Sequence, residues 1–385
     1  MKSDIFLDRA LISRNHDGEA ICGDFSRSFG DENTPIFVMS DGLGSGVKAN
    51  ILATLTCNIL GHMMEHGLPL AECVDTIAAS LPVCRERHMA YSTFTAAEVA
   101  GDNVYLVEYD NPPAVYIRDG EILESRCRVR FVGDKEIHER KIGLLPGDTI
   151  IIMSDGVTHS GIGRSNLDGW SAEGAGKFVI ESGALDKSAA YIAALLDRRC
   201  SEISQNALDD DRTVAVMRFV RRSTVNLLMG PPKNPEDDEQ TLSLFFGKRG
   251  QHIVCGGSTG SMVSRFLDRP IKLIENSGDG VVPDMASLEG VDLLTEGIIT
   301  MQKVLELNED IKSRPELLLK LGSRPEELLY RKLFLDCSNV NIFFGMAANT
   351  AHDDIGIGFE QKLETINQLE QQLRERGKSV KKDFF

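Results

Sequence analysis

The sequence lacks the cysteine patterns of zinc-binding or disulfide-linked domains. Its eight cysteines are scattered, and no two of them form a CxxC pair. A zinc site or a disulfide framework needs regularly spaced cysteines, so we expect neither. Most of the cysteines stand among apolar residues, which is typical of small buried side chains. This usage predicts a protein of a reducing compartment, namely the cytoplasm.

The sequence also lacks long apolar runs and an excess of positive charge. No apolar stretch approaches 18 residues and the first residues contain no signal-peptide core, so we expect a cytoplasmic protein without a membrane segment. The formal net charge of -16 disfavours binding to nucleic acid or to an anionic membrane, because both need a positive field. A chain of 385 residues is longer than one core usually serves, which favours two domains.

The most informative stretch is a short apolar run that ends on an acid and three glycines. The run 36–39 is too short for a helix and has the composition of a buried strand. Gly42, Gly44 and Gly46 allow the backbone to turn sharply and to come close to a small ligand. We therefore expect Asp41 at a strand end, pointing into the space that the turn surrounds.

The same Met-Ser-Asp-Gly tetrapeptide closes a second apolar strand, where the acid is Asp155. One copy would be a common turn signal, but two copies after matched strands predict two carboxylates aimed at one place. Two further acids join this set. Asp24 lies in an extended segment that can pair beside the Asp41 strand, and Asp210 precedes the short apolar strand 213–217.

These acids predict a site for hard divalent cations. No histidine, cysteine or lysine recurs with them, and all-oxygen ligation selects Mg²⁺ or Mn²⁺. Carboxylates held together repel one another unless cations compensate their charge. Two such cations can activate a water molecule near neutral pH and neutralise charge on a phosphate ester. The alternative is that the acids are turn and cap residues on a solvated face, which we favour for 209–211 taken alone.

The remaining periodicities predict a layered fold in two parts. In the first part we expect an extended pair over 4–13 and 19–25, helices over 47–60, 70–81, 169–181 and 188–200, and strands over 91–100, 103–109, 114–117 and 128–132. A basic segment, 218–224, then interrupts the pattern. In the second part we expect strands at 225–229, 251–255 and 339–344 and helices at 261–267, 298–307 and 361–376. The predicted domains are 1–222 and 223–385.

Two segments of the second domain allow more than one interpretation. The turn 256–260 between a strand and a helix could cradle a phosphate, since helix N-termini bind anions. Without a GxGxxG motif or a P-loop lysine, a plain tight connection is the better interpretation. The polar segment 348–354 is either a site or a loop.

Four motifs of the first domain occur in the order found in a known phosphatase family. They are Gly23-Asp24, Asp41-Gly-Leu-Gly-Ser-Gly46, Ser154-Asp-Gly-Val157 and Asp210-Asp-Arg-Thr-Val214. Over residues 1 to about 220 the chain resembles the PPM-type, metal-dependent serine/threonine phosphatases, in the bacterial branch typified by stage II sporulation protein E. The resemblance implies an α+β fold, in which a β-sandwich flanked by helices carries a metal site at one end. A smaller α/β domain then follows.

The resemblance also implies a role for each acid. Asp41 would bridge two Mn²⁺ or Mg²⁺ ions, and the Gly42 carbonyl would help to bind one of them. Asp155 and Asp210 would complete the other ion, and Asp24 would act mostly through metal-bound water. The implied reaction is hydrolysis of phosphoserine or phosphothreonine on a protein. In this branch the usual substrates are STAS-domain proteins of partner-switching pathways.

Two other functions stay open at this point. The first is a pseudophosphatase, a scaffold that binds a phosphoprotein without hydrolysing it, although the retained acids argue against it. The second is a metabolite-sensing module whose main role lies in 223–385. In either case the second domain is expected to be regulatory or ligand-sensing, and a homodimer is compatible with the sequence.

Overall fold

The computed structural model describes residues 4–31, 34–80, 83–84, 89–90, 92–132, 135–164, 169–347 and 359–385. Contacts between residues divide the chain into two compact units, Met1–Arg221 and Arg222–Phe385. This division lies one residue before the limit expected from the sequence. The predicted site or loop at 348–354 lies outside the described residues. Among the helices that the structure describes, none is both long and apolar enough to cross a membrane.

The first unit alternates strands and helices. Its elements are β1 (Ile5–Arg14), β2 (Asp24–Phe29), β3 (Ile36–Asp41), α1 (Gly46–Glu65), α2 (Leu70–Ser80), β4 (Val83–Cys84), β5 (Met89–Ala90), β6 (Phe94–Ala100), β7 (Asn103–Tyr109), β8 (Val115–Arg118), β9 (Glu121–Ile122), β10 (Cys127–Val132), β11 (Lys135–Gly143), β12 (Thr149–Met153), α3 (Asp155–Thr158), α4 (Ala172–Glu181), α5 (Ala189–Ile203) and β13 (Arg212–Arg221). The helices expected at 47–60, 70–81, 169–181 and 188–200 correspond to α1, α2, α4 and α5.

Two antiparallel sheets pack face to face in this unit. One sheet has the order β1-β13-β12-β8-β9 and the other the order β10-β11-β7-β6-β3-β2. The core between them takes side chains from both sheets, among them Phe37, Met39, Ile150 and Ile152. Val38, which lies between Phe37 and Met39 on β3, instead packs against helix α1 on the outer face of the sheet. Strand β3 is thus buried on both sides, and the expected sandwich with flanking helices is confirmed.

Two expectations for this unit are wrong. Segments 4–13 and 19–25 do not pair with each other, because β1 pairs with β13 in one sheet and β2 pairs with β3 in the other. The segment between β1 and β2 therefore connects one sheet of the sandwich to the other. The basic segment does not begin at Arg218 either, since β13 continues through Arg221 and places Phe219 in the core between the sheets. Arg218 is buried and donates hydrogen bonds to the carbonyls of Leu185 and Lys187.

The second unit is an α/β layer structure. Its elements are β14 (Thr224–Met229), α6 (Asp238–Phe246), β15 (Gln251–Cys255), α7 (Gly257–Leu267), β16 (Lys272–Leu273), β17 (Ala286–Ser287), β18 (Leu293–Thr295), α8 (Ile298–Ser313), α9 (Pro325–Tyr330), β19 (Asn339–Phe344), α10 (Phe359–Glu375) and β20 (Ser379–Phe384). The sheet order is β16-β17-β18-β15-β14-β19-β20. The last five strands of that order are mutually parallel. Such an arrangement is typical of doubly wound folds.

The turn 256–260 of the second unit belongs mostly to a helix. Helix α7 begins at Gly257, whereas the sequence predicted a start at Ser261. Gly256 precedes it with φ of +117°, a conformation that glycine adopts most easily. The predicted terminal helix is confirmed as α10, whose Ile366, Leu369 and Leu373 are fully buried.

A pair of leucines on α1 tests the packing of the first unit. Leu60 is fully buried against the six-stranded sheet, whereas 53% of Leu55 is exposed on the same helix. Replacing Leu60 by Ala removes buried methyl groups and leaves a cavity, so we expect the free energy of unfolding to fall by about 2–5 kcal/mol. Leu55→Ala is the matched control and should change it by less than about 0.5 kcal/mol. Urea denaturation of both variants measures the difference, and equal losses would contradict this packing.

Candidate active site

The register of two neighbouring strands places the first pair of acids side by side. In the antiparallel pairing of β2 with β3, Asp24 stands directly opposite Asp41. Directly opposed residues project from the same face of a sheet, with Cβ atoms about 5 Å apart. Asp24 begins its strand and Asp41 ends the other, so both lie at one end of the sandwich.

The second pair of acids comes from the facing sheet. Asp155 is the first residue of α3, directly after β12, and Asp210 stands just before β13. These two strands are antiparallel neighbours, and beyond their ladder the amide of Ser154 donates to the carbonyl of Thr213 at 3.0 Å. The exit of one strand and the entrance of the other are therefore adjacent. Carboxylate oxygens of Asp155 and Asp210 lie within 4.8 Å of each other.

The two pairs share one site, because Asp41, Asp155 and Asp210 line the same cleft and Asp24 stands opposite Asp41. Burial raises the pKa of Asp41 well above its usual range, and the charges of Asp24, Asp155 and Asp210 raise it further. Like charges exert such an effect only at short range, because water and salt screen distant ones. The structure thus brings together all four acids that the sequence selected.

Asp24 is the most deeply buried of these four acids. Burial raises its pKa to about 7, and the charges of Asp211 and Asp155 add to the rise. The nearby hydroxyls of Thr213 and Ser154 offset part of it. Even so, among the described residues, both carboxylate oxygens of Asp24 are buried without a hydrogen bond of normal geometry. A buried hydrogen-bond acceptor without a partner destabilises the folded protein unless another group binds to it.

Glycines next to the acids allow the backbones to approach closely. A Cβ atom on Gly42 would lie 2.0 Å from the carbonyl oxygen of Ala49, and one on Gly156 would lie 2.1 Å from that of Asp211. A Cβ atom on Gly23 would lie 2.6 Å from a carboxylate oxygen of Asp211. None of these contacts leaves room for a side chain. The Gly-Asp and Asp-Gly pairs of the sequence are therefore required by the packing around the site.

The structure assigns different surroundings to the three consecutive acids 209–211. Asp209 is exposed and accepts two hydrogen bonds from Arg164, at 2.9 and 3.0 Å, which lower its pKa. Asp211 is buried, and one of its oxygens accepts from the His16 amide at 3.0 Å while the other has no partner. Asp210 lies between them in sequence and is partly exposed at the site. Burial, followed by the charge of Asp155, raises its pKa to about 6.

The residue after the acid triplet has a structural role. Arg212 is buried and donates to Asp197 of α5 at 2.9 Å and to Ser201 at 2.8 Å. Asp197 also accepts from Arg14 of β1 at 2.8 Å. This ion-pair cluster fixes α5 to the two strands that flank the site entrance. Because Asp197 and Arg14 are distant from Arg212 in sequence, the motif around Arg212 did not predict this cluster.

One residue of the site escaped the sequence analysis. A ring nitrogen of His159 lies within 4.8 Å of ligand oxygens of both Asp155 and Asp210. His159 follows Asp155 by four residues, and such residues share one face of a helical turn. This spacing was a readable signal, but the sequence argument considered only acids that ended or began strands.

Asp41, Asp155 and Asp210 line a broad cleft of about 1400 Å³. Its walls include the Gly42–Ser45 turn and residues of β11, α3 and α4. On one wall Arg140 forms an ion pair with Glu108 at 3.1 Å, so its charge is largely compensated. The cleft is wide and open enough to admit a segment of a protein substrate.

The residues present fit divalent cations of the Mg²⁺ or Mn²⁺ class. Carboxylate oxygens dominate the donor set, and several of them are buried without partners. Burial, followed by the charges of neighbouring carboxylates, raises the pKa values of Asp24, Asp41 and Asp210. Cations would satisfy the oxygens and remove the mutual repulsion. Gly42 lies at the same place and lines the cleft.

Comparisons with known proteins identify relatives of this part of the chain. It is 23% identical over 186 residues to stage II sporulation protein E of Bacillus subtilis strain 168, a match that spans 47% of this chain and only 22% of that relative. A solved structure of the PP2C phosphatase domain and a fragment of the regulatory domain of SpoIIE from Bacillus subtilis superposes with a TM-score of 0.47 at 19% identity, covering 57% of this chain and 63% of that one.

Two further solved structures show comparable similarity. The SiaA-PP2C domain of Pseudomonas aeruginosa has a TM-score of 0.45 at 17% identity, covering 55% of this chain and 85% of that one. The RsbU and RsbW domains of a Mycobacterium tuberculosis protein have a TM-score of 0.45 at 15% identity, covering 63% of this chain and 67% of that one. Residues 31–220 match the family described as stage II sporulation protein E, SpoIIE. This part of the chain therefore resembles the SpoIIE-like branch of the PPM-type metal-dependent serine/threonine protein phosphatases.

Proposed function

We propose that this protein hydrolyses phosphoserine or phosphothreonine on a protein substrate in bacterial signalling, with two divalent cations as cofactors. One observation carries the proposal: Asp41, Asp155 and Asp210 come from two sheets and line one open cleft, and the buried Asp24 stands directly opposite Asp41. Such a group is unfavourable without cations and is suited to phosphate chemistry with them.

The residues have distinct places in this proposal. Asp41, which faces acids of both sheets, is assigned to both cations, and the Gly42 carbonyl to one of them. Asp155 and Asp210, whose oxygens are close together, are assigned to the other cation. Asp24 is buried behind them and is assigned to water held at the metal. When bound, the cations supply Lewis acidity, which polarises phosphoryl oxygens and lowers the pKa of water.

The rest of the chain positions these ligands and the substrate. The glycines hold the strand ends close together, and the Arg212–Asp197–Arg14 cluster anchors the β13 entrance. The open cleft favours a protein over a small metabolite, because a small ligand is usually enclosed. A STAS-domain phosphoprotein is the substrate class we propose, from the resemblance to the SpoIIE branch. A pseudophosphatase scaffold is disfavoured, since it needs no such set of acids.

For the second unit we propose a regulatory role. Strands β15 and β18 lie on one side of β14, and β19 and β20 lie on the other. The strand order thus reverses between β14 and β19, and doubly wound folds bind ligands at this crevice beyond the strand ends. Met229, Gly230, Phe344 and Gly345 line a small cavity at those ends. A ligand there could bias the first unit with a coupling of about 1–3 kcal/mol.

Substitution of the acids tests the site assignment. We expect Asp41→Ala, Asp155→Ala and Asp210→Ala each to reduce Mn²⁺-dependent release of phosphate from p-nitrophenyl phosphate at least about 100-fold, since even indirect supports of metal ligands change activity 10- to 100-fold. Asp209→Ala is the matched control, because Asp209 pairs with Arg164, and it should retain most of the activity. An inactive Asp209→Ala beside an active Asp210→Ala would shift the assignment by one residue.

Metal removal should reveal the repulsion among the acids. In EDTA, the raised pKa values of Asp24 and Asp210 mean that the folded state holds protons which the unfolded state has lost above about pH 4. Stability should therefore fall as the pH rises from about 4 to 7. Asp24→Asn should raise the melting temperature at pH 7 in EDTA and flatten this pH dependence.

Addition of cations should have the opposite effect. At a hundredfold excess over Kd, Mn²⁺ should stabilise the wild-type protein by about 2.7 kcal/mol. A melting temperature unchanged by millimolar Mn²⁺, together with a flat pH dependence in EDTA, would contradict the metal site.

Truncation after Arg222 tests the proposed division of labour. We expect the fragment 1–222 to fold and to retain metal-dependent turnover, because all of the proposed ligands precede Arg222. If the second unit is regulatory, the rate of the fragment or its response to ligands should differ from that of the full chain. Identical rates and responses would leave the second unit a passive role. A folded but inactive fragment would show that the catalytic unit extends beyond residue 222.

A further inference from the structure

We propose that an imidazole nitrogen of His159 is a ligand of the cation assigned to Asp155 and Asp210, and that it biases this position towards Mn²⁺ over Mg²⁺. The inference rests on the proposed function, since it presupposes a cation at these acids. It adds a nitrogen donor to a site that the sequence predicted to be made of oxygen alone.

The local backbone directs His159 towards the two acids. Asp155 begins the one-turn helix α3, and His159 caps its end, with its amide donating to the Asp155 carbonyl at 2.7 Å. Ligand atoms of Asp155, His159 and Asp210 all lie within 4.8 Å of one another. Ligands of one first-row cation lie up to about 4.4 Å apart, given bond lengths of about 2.1–2.2 Å. A small side-chain movement therefore closes these three groups around an ion.

The imidazole is available for this role. Its Nδ1 lies 3.8 Å from the nearer Asp155 oxygen, which is too long for a hydrogen bond. Within the described residues, no hydrogen bond engages this ring. His138 on another wall of the cleft is different, because its Nε2 contacts Glu136 at 2.9 Å and its Nδ1 contacts the Cys127 sulfur at 3.6 Å. The two histidines thus form a matched pair, one free to ligate and one engaged.

The chemistry of the donors gives the consequence. Mg²⁺ strongly prefers oxygen ligands, whereas imidazole favours the later first-row ions, and affinity for a given site rises from Mn²⁺ towards Cu²⁺. One nitrogen among carboxylates should therefore raise the affinity for Mn²⁺ relative to Mg²⁺. An acid in place of His159 would restore an all-oxygen set and reduce this preference.

Pulsed electron paramagnetic resonance of Mn²⁺ bound to the full chain tests ligation directly. A nitrogen ligand gives a ¹⁴N modulation of the Mn²⁺ echo, so the protein must carry no histidine tag. We expect this modulation in the wild type and in His138→Gln, and its loss in His159→Gln. His16→Gln belongs to the same series, because His16 also lines the cleft.

Competition between Mn²⁺ and Mg²⁺, followed by calorimetry, supplies a second readout. His159→Asp should lower the ratio of Mn²⁺ to Mg²⁺ affinity by about tenfold, the scale on which changes around a metal alter its binding. His138→Asp should leave the ratio unchanged.

The outcomes separate this inference from the proposed function. Mn²⁺ binding at Asp155 and Asp210 without ¹⁴N modulation in the wild type would overturn the role of His159 and leave the phosphatase proposal intact. Modulation that survives in His159→Gln but disappears in His16→Gln would also overturn it. If Mn²⁺ does not bind at all, and Asp155→Ala and Asp210→Ala change nothing, the proposed function fails together with the inference.

Discussion

The mutual repulsion of buried carboxylates is the constraint on which the rest of the first unit depends. Burial raises the pKa values of Asp24, Asp41 and Asp210, and the charges of neighbouring carboxylates, Asp155 among them, raise them further. A fold can tolerate such a group only if the surrounding framework is rigid and if protons or cations compensate the charge. The sandwich supplies the framework, and the open cleft gives cations access to the acids.

The rigidity comes from strand register and close backbone contacts. Asp24 faces Asp41 because β2 and β3 pair without a bulge up to their common end. Gly42 and Gly156 then let neighbouring segments approach within distances that no Cβ atom allows. The strand pairing and these close backbone contacts thus hold the acids in position.

In the role proposed for His159, the preference among cations depends on a smaller feature. A site of carboxylates and carbonyls alone distinguishes poorly between Mg²⁺ and Mn²⁺, because both accept oxygen. The imidazole of His159, beside Asp155 and Asp210, would add a nitrogen donor to one metal position without altering the sandwich. Selectivity of this kind can vary among proteins of one fold, since it needs only one residue on a short helix. The regulatory role proposed for the second unit is independent of this choice.

The sequence by itself predicted many of the strands and helices, the candidate acids and the resemblance to the SpoIIE branch, because glycine-flanked acids after apolar runs have a local signature. It did not determine which strands are neighbours: 4–13 and 19–25 looked like a pair but belong to different sheets. Nor could it sort the acids 209–211 or explain Arg212, whose partners Asp197 and Arg14 are remote in sequence. Only the tertiary structure decided these points, since pairing, burial and charge compensation depend on groups that folding brings together.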